Sequence, residues 1–284
     1  MPLPPIAASV ADLRRTLMAW RAEDLGGRGG IALVPTMGAL HDGHLSLVEA
    51  ARARADRVVV SIFVNPAQFA PHEDFASYPR MLETDLQKLG GAADLVFAPS
   101  PKDMYPDGFA TTVSVKGPAM GLESDFRPHF FDGVATVVAK LLIAASPDVA
   151  LFGEKDYQQL LVIMRLARDL DLDTEIIGAP IAREADGLAL SSRNAYLSIA
   201  ERAVAGRLNL VLKETIARLR GGQSISEAEI SAAAALRQAG FDIVDYVAVR
   251  DAESLAPVAS LARPARLLAA AKIGKTRLID NMPV

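Results

Sequence analysis

Cysteine is absent from the 284-residue chain. That removes disulfides, thiolate zinc sites, iron–sulfur clusters and cysteine nucleophiles together, and it is compatible with a reducing compartment. A long uninterrupted apolar run is missing as well. The longest apolar stretch, 134–145, carries Lys140, whereas a membrane-spanning helix needs roughly 18 consecutive apolar residues. The start, Met1-Pro2-Leu3-Pro4-Pro5, has no basic segment followed by an apolar one, and charged residues recur from Asp12 to Arg21, so no export signal is read there. Excess positive charge is also lacking. The formal net charge of −4 argues against broad attraction to nucleic acid and leaves room for a small anion held by a few local cations. Nor does the chain contain Gly-x-x-x-x-Gly-Lys-Ser/Thr, so no P-loop competes for phosphates. The expectation is a soluble, cytoplasmic protein with neither nucleic acid nor membrane as partner.

What is present is a globular balance, with 51% hydrophobic and 23% charged residues, in a chain long enough for two domains. The first two-thirds alternates β-branched runs with helical patterns. Strands are expected at 31–35, 57–64, 95–98, 149–152 and 175–177, with helices at 44–55, 79–89, 133–145 and 157–169. That alternation implies an α/β fold: a Rossmann-like parallel sheet, with its ligand crevice outside the carboxyl ends of the strands. From Asp186 the texture changes to a polar loop, helical segments around 199–219 and 226–238 with a Gly221-Gly222 break between them, and strands at 244–249, 267–272 and 277–279. The expected organisation is a Rossmann-like domain over 1–182 and a smaller α+β domain over 183–284, able to close over the first.

Chemistry concentrates at the junctions. Thr36-Met37-Gly38-Ala39-Leu40-His41-Asp42-Gly43-His44 joins the first strand to a helix. Glycines permit tight turns and close backbone approach, and the helix start offers unpaired N–H groups to phosphate oxygens. Two imidazoles three residues apart can donate to charge developing on phosphate, although a bare His-x-x-His also reads as half of a metal site. Ser61-Ile62-Phe63-Val64-Asn65-Pro66-Ala67-Gln68 runs a second strand into the crevice. Asn65 before Pro66 serves a turn equally well, whereas the Gln68 carboxamide can read the hydroxyls and carboxylate of an organic acid. Gly153-Glu154-Lys155-Asp156-Tyr157-Gln158-Gln159 supplies a cation for phosphate and an acceptor for ribose, with a solvated helix start as the plain alternative. Leu190-Ser191-Ser192-Arg193 reads either as a surface turn or as a mobile phosphate clamp.

These four segments, with Arg183 and the terminal Arg277-Leu278-Ile279-Asp280-Asn281, run in order over nearly the whole chain and resemble the pantothenate synthetase family. Those enzymes are ATP-dependent ligases joining pantoate to β-alanine. The histidine segment and the Ser-Ser-Arg loop are similar to the two signatures of the nucleotidyltransferase superfamily. The resemblance implies that Met37, Gly38, His41, His44 and Glu154 contact ATP, with His44 the proton donor, and that Gly153, Lys155 and Asp156 hold the α-phosphate and ribose. It further implies that Ala182 lies beside adenine, that Leu190 belongs to the ATP site, that Ser191, Ser192 and Arg193 grip the phosphates, and that Asn65, Gln68 and Gln159 bind pantoate, Gln68 also near β-alanine. Catalysis would rest on His41, His44, Lys155, Ser191 and Arg193. Magnesium (Mg²⁺) and a homodimer through the first domain are implied too. Asp85 matches a position associated with Mg²⁺, yet by its own pattern it reads as an exposed helical carboxylate. Leu190 stands where the family has Met, and His129 precedes Phe130-Phe131 where the family often has His-Phe, which leaves His129 without an assigned role. Competing readings are a nucleotidyltransferase that retains the nucleotide on its product and a regulatory nucleotide-binding module without turnover.

Overall fold

The computed structural model describes residues 2–23, 30–70, 73 and 75–284. The chain forms two compact units, one of 1–154 with 162–179 and the other of 155–161 with 180–284.

The larger unit is built on a six-stranded sheet whose pairings are all parallel: β1 (Ile6–Ala7), β2 (Ile31–Thr36), β3 (Arg57–Ile62), β4 (Leu95–Phe97), β5 (Val149–Gly153) and β6 (Glu175–Ala179), in the order β1-β4-β3-β2-β5-β6. Strands buried on both faces read as continuous apolar runs rather than alternations. β2 and β3 follow that rule, with Leu33, Val34, Val58, Val59 and Val60 inaccessible to solvent. The helices are α1 (Val10–Ala22), α2 (Asp42–Arg52), α3 (Leu82–Leu89), α4 (Pro101–Met104), α5 (Glu123–Phe126) and α6 (Phe130–Ala145), with α7 (Tyr157–Asp169) belonging to this unit from residue 162 on and to the smaller one before it. The α/β class expected from the sequence is the one observed. β1 and α1 carry no earlier expectation: a two-residue strand has no periodicity to detect, and α1 buries only Leu13 and Leu17.

Strand order locates the ligand end of this sheet. From β2 the chain moves outward through β3 and β4, then returns to the other side of β2 as β5 and continues to β6. β2 and β5 are therefore neighbours, with Leu33 beside Ala150, while the chain departs from them in opposite directions. This reversal is the topological switch point, and the carboxyl ends there are Thr36 and Gly153.

The smaller unit pairs β7 (Ile243–Asp251), β8 (Ala265–Ile273) and β9 (Thr276–Pro283) as an antiparallel sheet, with helices α8 (Ile199–Ala205), α9 (Arg207–Arg220) and α10 (Ile225–Gln238). Its core gathers Leu208, Leu212, Leu236, Phe241, Val249 and Leu267. The helical pattern over 199–219 is in fact two helices broken at Gly206, and Ser198 opens the first with a capping box closed by Glu201.

Candidate active site

At the carboxyl end of β2, Gly38 and Ala39 both turn into the left-handed region, with φ of 83° and 50°. Only Gly38 is of the type that adopts it freely, so Ala39 has to be held. Asp85 holds it: its two carboxylate oxygens accept from the backbone N–H groups of Ala39 at 2.9 Å and Leu40 at 2.8 Å. A Cβ on residue 38 would stand 3.0 Å from the same carboxylate, so space as well as the positive φ favours glycine there. The expectation that Asp85 is an exposed helical carboxylate is therefore corrected. It is 1% exposed, because α3 turns this residue inward onto the loop.

The loop delivers His41 as the N-cap of α2. His41 Nδ1 accepts from the Gly43 N–H at 3.2 Å, and His44 Nδ1 accepts from the His41 N–H at 3.3 Å. The two imidazoles thus form the helix's capping box, in places usually held by Ser or Thr and by Glu. Each ring uses Nδ1 as an acceptor, so in the neutral form its proton sits on Nε2. The rings lie 4.1 Å apart between centroids, both half-buried.

At the end of β3, Asn65 caps the turn Pro66–Gln68 by accepting from the Ala67 N–H. Its amide Nδ2 donates to Gln68 Oε1 and to the Gly133 carbonyl, both at 3.1 Å. Gln68 Nε2 in turn contacts the Met37 sulfur at 2.9 Å. Met37, Asn65 and Gln68 are therefore brought together. Tyr105, which no motif marks, donates its phenolic O–H to Asn65 Oδ1 at 2.6 Å, and burial pushes its pKa up to about 12. Arg127 is equally unannounced by the sequence. It pairs through both guanidinium nitrogens with Glu73 at 2.6 and 2.8 Å, donates to the Gln68 carbonyl at 3.2 Å, and lies 3.8 Å above the Phe130 ring. Gly133 brings α6 against this turn: a Cβ there would fall 2.2 Å from the Ala67 carbonyl oxygen. His129, at the N-cap of α6, makes no capping bond with its side chain and is exposed.

Gly153 ends β5 and Glu154 follows it, both half-buried. In the smaller unit Lys155, Asp156 and Gln159 are half-buried, with Lys155 Nζ 3.7 Å from an Asp156 oxygen. Arg183 and Ala189 form a bridge, and the Leu190 N–H donates to the Ala182 carbonyl at 2.9 Å, closing the chain on itself just before Ser191. Ser191 then caps the turn Ser192–Tyr196 by accepting from the Arg193 N–H at 3.3 Å. Arg202 pairs with Asp186 and Glu184 at 2.6 and 2.7 Å, and holds the Asp186 carboxyl below the usual carboxylate range. Among the described residues, no three or more His, Asp or Glu side chains gather as a metal cluster, and no helix is long and apolar enough to cross a membrane.

A parallel sheet whose switch point opens on a helix start, with two imidazoles oriented by that helix, is an α/β architecture of the class that takes its ligands at the strand ends. Over residues 5–283 the sequence matches the family described as pantoate-beta-alanine ligase. Pantothenate synthetase of Nitrobacter hamburgensis is 58% identical over 99% of both chains. The solved pantothenate synthetase of Thermus thermophilus superposes with a TM-score of 0.90 at 46% identity, covering 98% of both chains. The pantoate-beta-alanine ligase of Francisella tularensis, solved in complex with β-γ ATP and β-alanine, gives 0.80 at 34% identity over 98% of this chain and 97% of that one. The chain belongs to the pantoate-β-alanine ligase family, and it is a ligase that forms pantothenate.

Proposed function

We propose that the protein activates (R)-pantoate with ATP as pantoyl-adenylate and passes the acyl group to β-alanine, giving pantothenate, AMP and diphosphate. The observation that carries this reading is the histidine capping box at the switch point, which spends both Nδ1 atoms on the helix start and so leaves the Nε2–H of each imidazole as the donor suited to a phosphate oxygen. In the first half-reaction a pantoate carboxylate oxygen attacks the α-phosphorus. A new P–O bond forms, the bond to the β-phosphate bridging oxygen breaks, and diphosphate leaves. His41 and His44 are assigned to stabilising charge on the phosphates, His44 as proton donor. Met37 and Gly38 line the ATP site, as do Gly153, Glu154, Lys155, Asp156, Ala182 and Leu190, while Ser191, Ser192 and Arg193 grip the phosphates. Asn65, Gln68 and Gln159 bind pantoate, a role supported by the relay that fixes the Gln68 carboxamide. In the second half-reaction the β-alanine amine attacks the acyl carbonyl and AMP departs with the former carboxylate oxygen. No protein nucleophile is needed, so catalysis is positioning and electrostatics.

Magnesium is proposed as a companion of the ATP phosphates, where it would neutralise phosphate charge. Among the described residues no acidic cluster gathers to cage it, and both Asp85 oxygens already accept backbone N–H bonds. Asp85 is accordingly assigned to holding the loop. A cytoplasmic homodimer is proposed on the family resemblance, and sedimentation showing only monomer would remove the dimer.

Pantoate labelled with ¹⁸O in its carboxylate tests the chemistry. Label is expected in AMP; label in inorganic phosphate, with ADP formed, would replace the adenylate by an acyl phosphate. Free AMP also separates this reaction from a nucleotidyltransferase that retains the nucleotide.

A further inference from the structure

The terminal strand β9 carries two adjoining polar residues, Asp280 and Asn281, each only 2% exposed, to which the scheme above gives no role. The Asn281 side chain can be read end by end. Arg266 Nε donates to its Oδ1 at 2.6 Å, and since arginine only donates, the other end must be the amide nitrogen. That nitrogen donates to the Lys155 carbonyl oxygen at 2.9 Å, joining positions 126 residues apart. Arg266 is itself braced: its guanidinium lies 3.8 Å above the Tyr157 ring, and the Tyr157 hydroxyl donates to the Ala252 carbonyl at 2.8 Å.

Asp280 works in the other direction. Its two oxygens accept from Arg183 at 2.7 and 2.8 Å, and the same arginine donates to the Gly187 carbonyl at 2.9 Å. The Asn281 N–H donates to Asp280 Oδ1 at 2.7 Å, so the two side chains share one backbone geometry. Arg183 opens the closed segment that delivers Ser191. Buried polar side chains of this kind cost desolvation that an apolar pair would avoid, so stability alone is a weak reason for them.

We infer that Asp280 and Asn281 act as one positioning element: Asn281 fixes the peptide plane of Lys155, and Asp280, through Arg183, fixes the base of the segment presenting Ser191 and Arg193. The inference rests on the nucleotide-binding roles proposed for Lys155 and Arg193.

Double-mutant cycles on the full-length enzyme test it. Asn281→Asp keeps the shape and the acceptor for Arg266 but turns the donor toward Lys155 into an oxygen facing a carbonyl. The single-turnover rate of adenylate formation should fall about tenfold or more, with the KM for β-alanine unchanged within about twofold. In a Lys155→Ala background the same substitution should cost less than about twofold, because the group it positions is gone. Arg183→Lys keeps the charge and loses the fork; it should slow adenylation in the native background and add little to Arg193→Ala. Equal factors in both backgrounds, or native rates in Asn281→Asp, would overturn the inference. Should Asn281→Asp not fold, Asn281→Ala serves in the same cycle, and Arg183→Lys supplies the second arm. If Lys155→Ala alone retains the native rate, the role proposed for Lys155 fails and the inference falls with it; if Lys155→Ala is slow but the effects multiply, only the inference falls.

Discussion

The phenol of Tyr105 heads a relay of side-chain hydrogen bonds that runs through Asn65 to Gln68 and ends on the Met37 sulfur. Tyr105→Phe keeps the ring and removes the donor, so stability should drop by about 1 kcal/mol. If Gln68 reads pantoate, the KM for pantoate should rise about fivefold while kcat stays within about twofold, measured by steady-state kinetics. Asp85→Asn makes the contrasting case. One of the two N–H groups it serves would face an amide nitrogen, costing roughly 1.5–3 kcal/mol in chemical denaturation and loosening the turn that leads to both histidines. Adenylation should slow more than pantoate binding weakens. The place of the histidine segment, between the end of β2 and the start of α2, was legible because the apolar strand before it and the helical pattern after it are both strong. Tyr105 and Arg127 were not legible, since their work depends on partners 40 and 54 residues away that no spacing rule connects. Asp85 was misread for a related reason: a carboxylate in a helix's first turn is normally solvated, and only the path of the Gly38–Leu40 loop makes this one buried.

Among elements, α6 and the Asn65–Gln68 turn are pressed together at Gly133, where no side chain can be accommodated. Gly133→Ala must push helix and turn apart. The expected loss is about 1–3 kcal/mol, together with a raised KM for pantoate, and a melting curve beside a pantoate titration checks both. Regular elements with strong periodicity were readable to within a few residues, and α7 falls at 157–169 as expected. Where the reading slipped, it slipped at helix starts. α2 starts at Asp42 rather than 44 because His41 closes it, and α3 starts at Leu82 because Pro79 lies outside the helix. The assignment of 155–161 to the smaller unit has no signal in hydrophobic periodicity, since it follows from contacts such as Tyr157 with Ala252.

For the molecule as a whole, stability should have an acid and an alkaline limit of different origin. Hydrogen bonds from Ser9, Ser100, Arg202, Ser198 and Ser254 lower the carboxyl pKa of Asp12, Asp103, Asp186, Glu201 and Asp251 respectively. A depressed folded pKa gives stability that is present above the unfolded value of about 4 and is lost as pH falls through the folded value. Melting temperature should therefore begin to fall below about pH 4, and Asp186→Asn should make that fall shallower. Tyr105 has the opposite sign: its contribution is full below the unfolded value of about 10 and disappears as pH rises toward about 12. The histidine capping box adds a lesson for anyone wanting an inert form of the enzyme. Truncating His41 to alanine would remove an imidazole and a helix cap in one stroke, and the resulting protein would be damaged as well as silent. Asparagine is among the best N-caps and has no imidazole. If His41 stabilises the phosphates as proposed, His41→Asn should melt close to the native temperature while adenylation drops by about two orders of magnitude, yielding a sound, slowed enzyme in which binding and chemistry can be timed apart.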